Sequence, residues 1–416
     1  MIAGISALIG RRYSGGKMST LPLSGVRVVD ISSFLAGPMV SMFLGDYGAD
    51  VIKVEHPGRG DEVRFWGENK DGVGLYYKVL NRNKRSVTAD LRTPMGVEIV
   101  KRLAGSADVI IENFRPGTLE RWGLGYDVLS AINPGIVLAR ITGYGQTGPN
   151  SHKPGFGTVA EGFSGCVYVT GYPDRPPLLP AFGLADSTTG LSGAFLVMVA
   201  LFERERRGGA GQVIDLAIYE PLFTLIGPHV VNYDQLGVVQ QRTGSRIAFT
   251  APRNTFRTRD GNWVVMSGSA QSTFERTCRA LDRPELIDDP RFGDNRKRLQ
   301  NVEELEAALA EGFAQFDLDE VLRRFDKHEA AIAPVYSVEQ IFSDPHFAAR
   351  GNIVTVTDEE LGGPVRMQNV VGGFSRTPGE IRHAGPRLGQ HNREVLIDEL
   401  GFSAAELKDA GLPLFF

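Results

Sequence analysis

Cysteine is nearly absent from this 416-residue chain: only Cys166 and Cys278 occur, in no metal-like spacing. A disulfide scaffold is thereby excluded, and two buried thiols in a reducing compartment are expected. An excess of one charge is missing too. Lys and Arg total 45 against 49 Asp and Glu, a net charge of -4. That balance argues against a nucleic-acid or anionic-membrane surface, while leaving room for a local basic pocket. No apolar run reads as long enough to span a bilayer. The apolar opening, residues 1–10, is followed rather than preceded by Arg11 and Arg12, the wrong order for a secretory signal. Residues before about Leu21 read as a flexible extension, with Met18 a candidate start, and the expected location is cytoplasmic with no membrane partner. The seven histidines, His56, His152, His229, His328, His346, His383 and His391, are scattered, and no acidic cluster resembles a metal cage. No metal site is expected. The G-x-S-x-G elbow, the Walker loop and the H-E-x-x-H spacing are all missing.

What is present reads as α/β. Residues 26–30 form an apolar strand, 39–47 a helix behind Gly37-Pro38, and 49–55 a second strand, which together make a βαβ unit with a right-handed crossover. Strands follow at 86–91, 108–112 and 136–141, with a helix at 93–104 carrying Pro94 in its first turn. The first half is therefore a doubly wound, Rossmann-like domain. Beyond Gly208-Gly209-Ala210-Gly211 come a strand at 213–217 and a helical stretch at 218–236, interrupted at Pro221 and Pro228. A smaller α/β segment has a strand at 263–266 and helices at 272–281 and 302–316. The tail has strand-like pieces and a closing helix over 393–400. The expected division is a large domain of residues 21–215 and 340–416, a linker at 216–240, and a small domain with its return linker at 241–339. A length of this size suits two or three domains.

A dinucleotide site is the first temptation, because Glu55 ends the second strand where a ribose-binding acid would stand. The loop after Asp30, however, runs Ile31-Ser32-Ser33-Phe34-Leu35-Ala36-Gly37-Pro38, without the glycines that let a backbone approach a pyrophosphate. The more informative stretch is Gly183-Leu184-Ala185-Asp186-Ser187-Thr188-Thr189-Gly190. One carboxylate stands among small residues, open to close approach by a large ligand. It also reads as a helix N-cap before the apolar run that follows. A lone activated carboxylate nucleophile is compatible with that position.

Motifs spread along the chain carry a resemblance. They are Leu35-Ala36-Gly37-Pro38; residues 48–55 with Gly60-Asp61 and Arg64; Asn81-Arg82-Asn83-Lys84-Arg85-Ser86; Asn113-Phe114-Arg115-Pro116-Gly117; residues 143–149; Asp186 with Gly190; residues 208–211; Asp260-Gly261; and Leu388-Gly389-Gln390-His391. In this order the sequence resembles the family III CoA-transferases, the CaiB/BaiF group, over about residues 21–412. The resemblance implies an interlocked-ring homodimer and an enzyme of CoA transfer with no permanently bound cofactor, coenzyme A and acyl-CoA being substrates. It implies Asp186 as nucleophile. It implies CoA contacts at Leu35, Ala36, His56, Ala89, Asp90, Leu91, Arg92, Asn113, Phe114, Arg115, Arg121 and Phe156. The three arginines would offer charge-assisted bonds to phosphates.

Departures narrow the expectation. His56 stands where the family often has arginine, and Leu35 where formyl-CoA transferases carry glutamine, against a formyl or oxalate specificity. Phe156 stands at the place where the related 2-methylacyl-CoA racemases carry a histidine base, and phenylalanine moves no proton. Racemisation is the alternative activity, and a non-catalytic CoA-binding role the alternative class. The closest resemblance is to members that use succinyl-CoA with dicarboxylic acceptors. Arg253, where those relatives usually have tyrosine, and Arg246 are the candidate residues for a distal carboxylate.

Overall fold

A computed structural model of the chain describes residues 21–412, so the reading of an N-terminal extension lies outside the described residues. Contacts divide the chain into two units. The first comprises residues up to Ala160, Gly183–Pro221 and Gly351 onward; the second comprises Glu161–Phe182 and Leu222–Arg350. Residues 161–182, which the sequence reading keeps in the large domain, fall in the second unit. Hydrogen bonds explain it: the Gly244 amide donates to the Gly171 carbonyl at 2.9 Å, and the Arg242 side-chain Nε donates to the Tyr172 carbonyl at 3.3 Å.

The first unit is built on β1 (Arg27–Asp30), α1 (Ala36–Asp46), β2 (Asp50–Glu55), β3 (Lys84–Thr88), α2 (Pro94–Ala104), β4 (Val109–Glu112), β5 (Val137–Thr142), α3 (Leu184–Arg207) and β6 (Val213–Ala217). The sheet runs β3-β2-β1-β4-β5-β6 with every pairing parallel. This is the doubly wound order expected from the sequence. Strands β4 and β5 are buried along their whole length, which is why residues 109–111 and 137–139 read as unbroken apolar runs rather than alternating ones. Thr93 caps α2 by accepting from the Gly96 amide at 3.1 Å, and Pro94 occupies the first turn.

Helix α3 corrects one expectation. By length and composition this 24-residue helix is apolar enough to cross a membrane. Its apolar character is two-sided. One face packs on α1 through glycines: a Cβ on Gly193 would lie 2.6 Å from Val40 Cγ2, and one on Gly190 2.6 Å from Met39. The other face exposes Leu191, Phe195, Val199 and Phe202 at helical spacing.

Charge is buried beneath the sheet's centre. Asp30, Lys53 and Lys84 are fully buried. Lys84 Nζ reaches Asp30 at 3.2 Å and the Pro38 carbonyl at 2.7 Å, while Lys53 Nζ pairs with Asp61 at 3.0 Å and donates to the Ser32 carbonyl. Burial alone would raise the Asp30 carboxyl. Lys53 and Lys84, with the Ser32 and Ser41 hydroxyls, instead hold it down to about 2. Asp30→Asn would leave buried Lys84 without its carboxylate partner, and is expected to cost about 3–5 kcal/mol in a denaturant titration. The depressed carboxyl adds stability above its ordinary range near pH 4, and that contribution is lost as pH falls toward 2. The wild type should therefore show an acid loss of stability, some of which Asp30→Asn lacks.

The C-terminal tail returns to this unit and covers its edge strand. The Ser86 amide donates to His391 Nδ1 at 3.1 Å, the His391 amide to the Ser86 carbonyl at 2.9 Å, and the Thr88 amide to Asn392 Oδ1 at 2.8 Å. An open β3 edge is thus satisfied by the Gly389-Gln390-His391-Asn392 turn.

The second unit has an antiparallel sheet of β7 (Arg253–Arg257), β8 (Trp263–Ser267) and β9 (Ile332–Pro334), in the order β9-β8-β7. Its core stacks Phe256 on Phe313 at 4.7 Å and Phe313 on Phe325 at 5.5 Å between ring centres. The expected helical stretch at 218–236 is two helices, Tyr219–Leu225 and His229–Leu236. Pro221 sits in the first turn of one, where no amide hydrogen is needed, so the break falls only before His229. In the tail of the first unit, β10 (Ile353–Asp358) and β11 (Gly363–Gln368) pair as a hairpin.

Candidate active site

The strand order reverses between β1 and β4, and ligands of such sheets bind where the loops beyond those strands diverge. The two loops are locked together there by a single side chain. Asn113 Oδ1 accepts from the Ser33 amide at 2.9 Å, and its Nδ2 donates to the Ser33 carbonyl at 2.6 Å. The amide expected to hydrogen-bond CoA is thus committed to the loop. Glu55 is likewise turned inward, to Arg64 at 2.8 Å, Ser86 at 2.6 Å and the Asp61 amide at 3.0 Å. Its oxygens are taken up by protein partners, which weighs against the dinucleotide reading.

Asp186 lies on the first turn of α3, and the N-cap is Gly183 rather than Asp186. Its carboxylate is half-buried and presses on the Gly157 α-carbon, since a Cβ there would fall 2.0 Å from Oδ2. Gly143 makes a similar close approach nearby: a Cβ on it would lie 2.5 Å from the Gly155 α-carbon. The Gln146 amide donates to both Asp215 oxygens at 3.0 Å and ties this loop to β6. The glycines of the 143–149 motif and the 155–157 loop therefore bring a second backbone against the carboxylate. Positive potential at the start of α3 favours the anion there. The Tyr76 phenol is raised by burial and, after that, by the Asp186 charge, so it stays protonated near the carboxylate at neutral pH.

A cavity of about 250 Å³ contains Asp186 together with Ala36, Asn113, Phe114, Arg115, Lys153 and Phe156. A second, of about 420 Å³, is lined by His56, Ala89, Asp90, Leu91, Arg92 and again Asn113, Phe114 and Arg115. The two share Phe34 and the 113–115 loop. Ten of the twelve residues expected at CoA thus line at least one of the cavities. Leu35 does not; it is buried among Met42, Val63, Tyr77 and Leu80. Arg121 does not either, its guanidinium reaching the Thr118 hydroxyl at 2.9 Å. At the rim, Arg92 forks onto Asp90 at 2.8 Å and meets His56 Nε2 at 3.0 Å. That pairing holds the half-buried Asp90 carboxyl down to about 2.

Arg253 and Arg246 belong to the second unit. Arg253 is exposed on β7 and donates to the Ser245 carbonyl at 2.8 Å, beside a cavity on that sheet. Arg246 is held by Glu306 at 2.8 Å and Glu303 at 3.7 Å. Sequence reasoning missed Gly157, Tyr76, Lys153 and Phe34. A glycine directly after the Phe156 position was the one visible sign of the close approach.

A model of CoA-transferase family III matches residues 23–392. The chain is 43% identical to the succinyl-CoA–D-citramalate CoA-transferase of Chloroflexus aurantiacus, over 93% of this chain and 96% of that protein. It is 35% identical to the mouse succinyl-CoA:glutarate CoA-transferase, over 94% of this chain and 89% of the relative. Among solved structures, a CAIB/BAIF family protein from Brucella suis superposes with a TM-score of 0.80 at 36% identity, covering 91% of this chain and 99% of the other.

Proposed function

Because the chain belongs to CoA-transferase family III, we propose that it moves CoA from succinyl-CoA to a C4–C6 dicarboxylate through covalent intermediates on Asp186. The Asp186 carboxylate attacks the thioester carbonyl, giving a mixed anhydride and the CoA thiolate. The thiolate then attacks the aspartyl carbonyl, releasing the donor acid and leaving an aspartyl-CoA thioester. The acceptor carboxylate repeats the two steps in reverse. No water is consumed, so the thioester's free energy is retained, which requires a closely shaped site. The observation carrying the reading is Asp186 on a helix's first turn, pressed against a glycine within the cavity it shares with Arg115. Phe156 lines the same cavity and supplies no proton carrier, which weighs against racemisation.

The diacid preference is supported by the activities for which the citramalate and glutarate relatives are named. Arg253 is the favoured residue for the distal carboxylate, since Arg246 already answers to Glu306 and Glu303. The test is a panel of monocarboxylates and diacids of equal length against succinyl-CoA. Arg253→Ala should raise the diacid KM by about tenfold or more while sparing the monoacid. A wild type that prefers monoacids, or an Arg253→Ala with unchanged diacid KM, removes the assignment. A homodimer belongs to the same reading. The exposed Leu191, Phe195, Val199 and Phe202 face of α3 is a surface for a second copy of the chain rather than for lipid.

A further inference from the structure

Phe34 has a backbone that phenylalanine rarely adopts. Its φ is +67°, in the left-handed region where a Cβ is crowded, so neighbouring groups must hold it there. They do. The Phe34 amide donates to Asp61 Oδ1 at 3.1 Å, Asp61 is anchored by buried Lys53 at 3.0 Å, and the preceding Ser33 is clamped on both sides by Asn113. The half-buried ring projects between Trp66, with centres 5.4 Å apart, and Phe156, met edge-on at 5.6 Å. Phe34 lines both the His56–Arg92 cavity and the Asp186 cavity. A strained residue whose ring stands at the junction of two cavities, gripped by a buried ion pair, points to function rather than filling.

Resting on the CoA-transfer reading above, we propose that Phe34 is a positioning residue that walls the junction between the two cavities, aligning the thiol-bearing arm of CoA and keeping water from the aspartyl-CoA thioester. Without the ring, water adds to the aspartyl carbonyl and the C–S bond breaks. CoA leaves as the thiolate and takes one proton of that water, the other passes to solvent, and the Asp186 carboxylate is restored. The net leak is succinyl-CoA plus water to succinate plus CoA.

The experiment measures free-thiol release and CoA transfer side by side in wild type, Phe34→Ala and Phe34→Tyr, with succinyl-CoA and the best diacid of the panel. The ratio of hydrolysis to transfer should rise at least tenfold in Phe34→Ala and return to within about threefold of wild type in Phe34→Tyr, which keeps the ring. An unchanged ratio in Phe34→Ala overturns the proposal. So does loss of both activities in a folded Phe34→Ala that Phe34→Tyr shares, since that pattern marks a structural role. A wild type that transfers CoA to no acid defeats the CoA-transfer reading instead, and is seen before any variant is made.

Discussion

Asp186→Ala should fold as the wild type does and move no measurable CoA between any pair of acids. The fold survives because Asp186 is not the cap of α3; Gly183 holds that position, and the helix is kept in place by Gly190 and Gly193 against α1. The chemistry does not survive, because among the described residues no other carboxylate lines the cavity. Turnover is expected to fall by roughly four orders of magnitude or more, the loss seen when a covalent nucleophile is removed. Wild type incubated with succinyl-CoA should carry an aspartyl-CoA thioester in the peptide containing Asp186, and the variant should not. CoA binding should persist, since the His56–Arg92 cavity is built from other residues. Wild-type turnover by a folded Asp186→Ala would end the nucleophile assignment, and with it the proposed mechanism.

Small residues on both sides are what single out Asp186 in the sequence. The parallel strands were legible for a related reason: residues 109–111 and 137–139 are buried on both faces, so their apolar runs are unbroken. The role of the basic motif at 82–85 is visible only in the fold. In the fold Arg82 forks onto Asp46 at 2.9 and 2.6 Å, Lys84 reaches Asp30, and Arg85 forks onto Asp50 at 2.9 and 2.7 Å. Those acids lie on β1, α1 and β2, and nothing local to residues 82–85 announces them. The motif therefore ties strand, helix and sheet together from within. Asn113 is a similar case. Its residue type suggests a ligand contact, and its partners are the two polar groups of one backbone residue across the sheet's switch point.

Gly157→Ala should cripple turnover in a protein that still folds and still binds CoA. The added methyl carbon would sit 2.0 Å from Asp186 Oδ2 and 2.8 Å from its Cγ, so the carboxylate must swing aside or the loop must lift. Either movement shifts the nucleophile by about an ångström, and misplacement on that scale costs roughly 100-fold in rate. Gly157 does not stand in the left-handed region, so alanine brings no backbone strain, and crowding alone should cost the fold about 1–3 kcal/mol. The effect should fall on kcat, with the KM for succinyl-CoA little changed, because Gly157 is not among the residues lining the His56–Arg92 cavity. A control sharpens the interpretation: Gly162→Ala, where a Cβ meets nothing within 4 Å, should be nearly silent. If Gly157→Ala kept wild-type kcat, the carboxylate would have slack around it, and the tight backbone cradle could not be what holds Asp186 in place for attack.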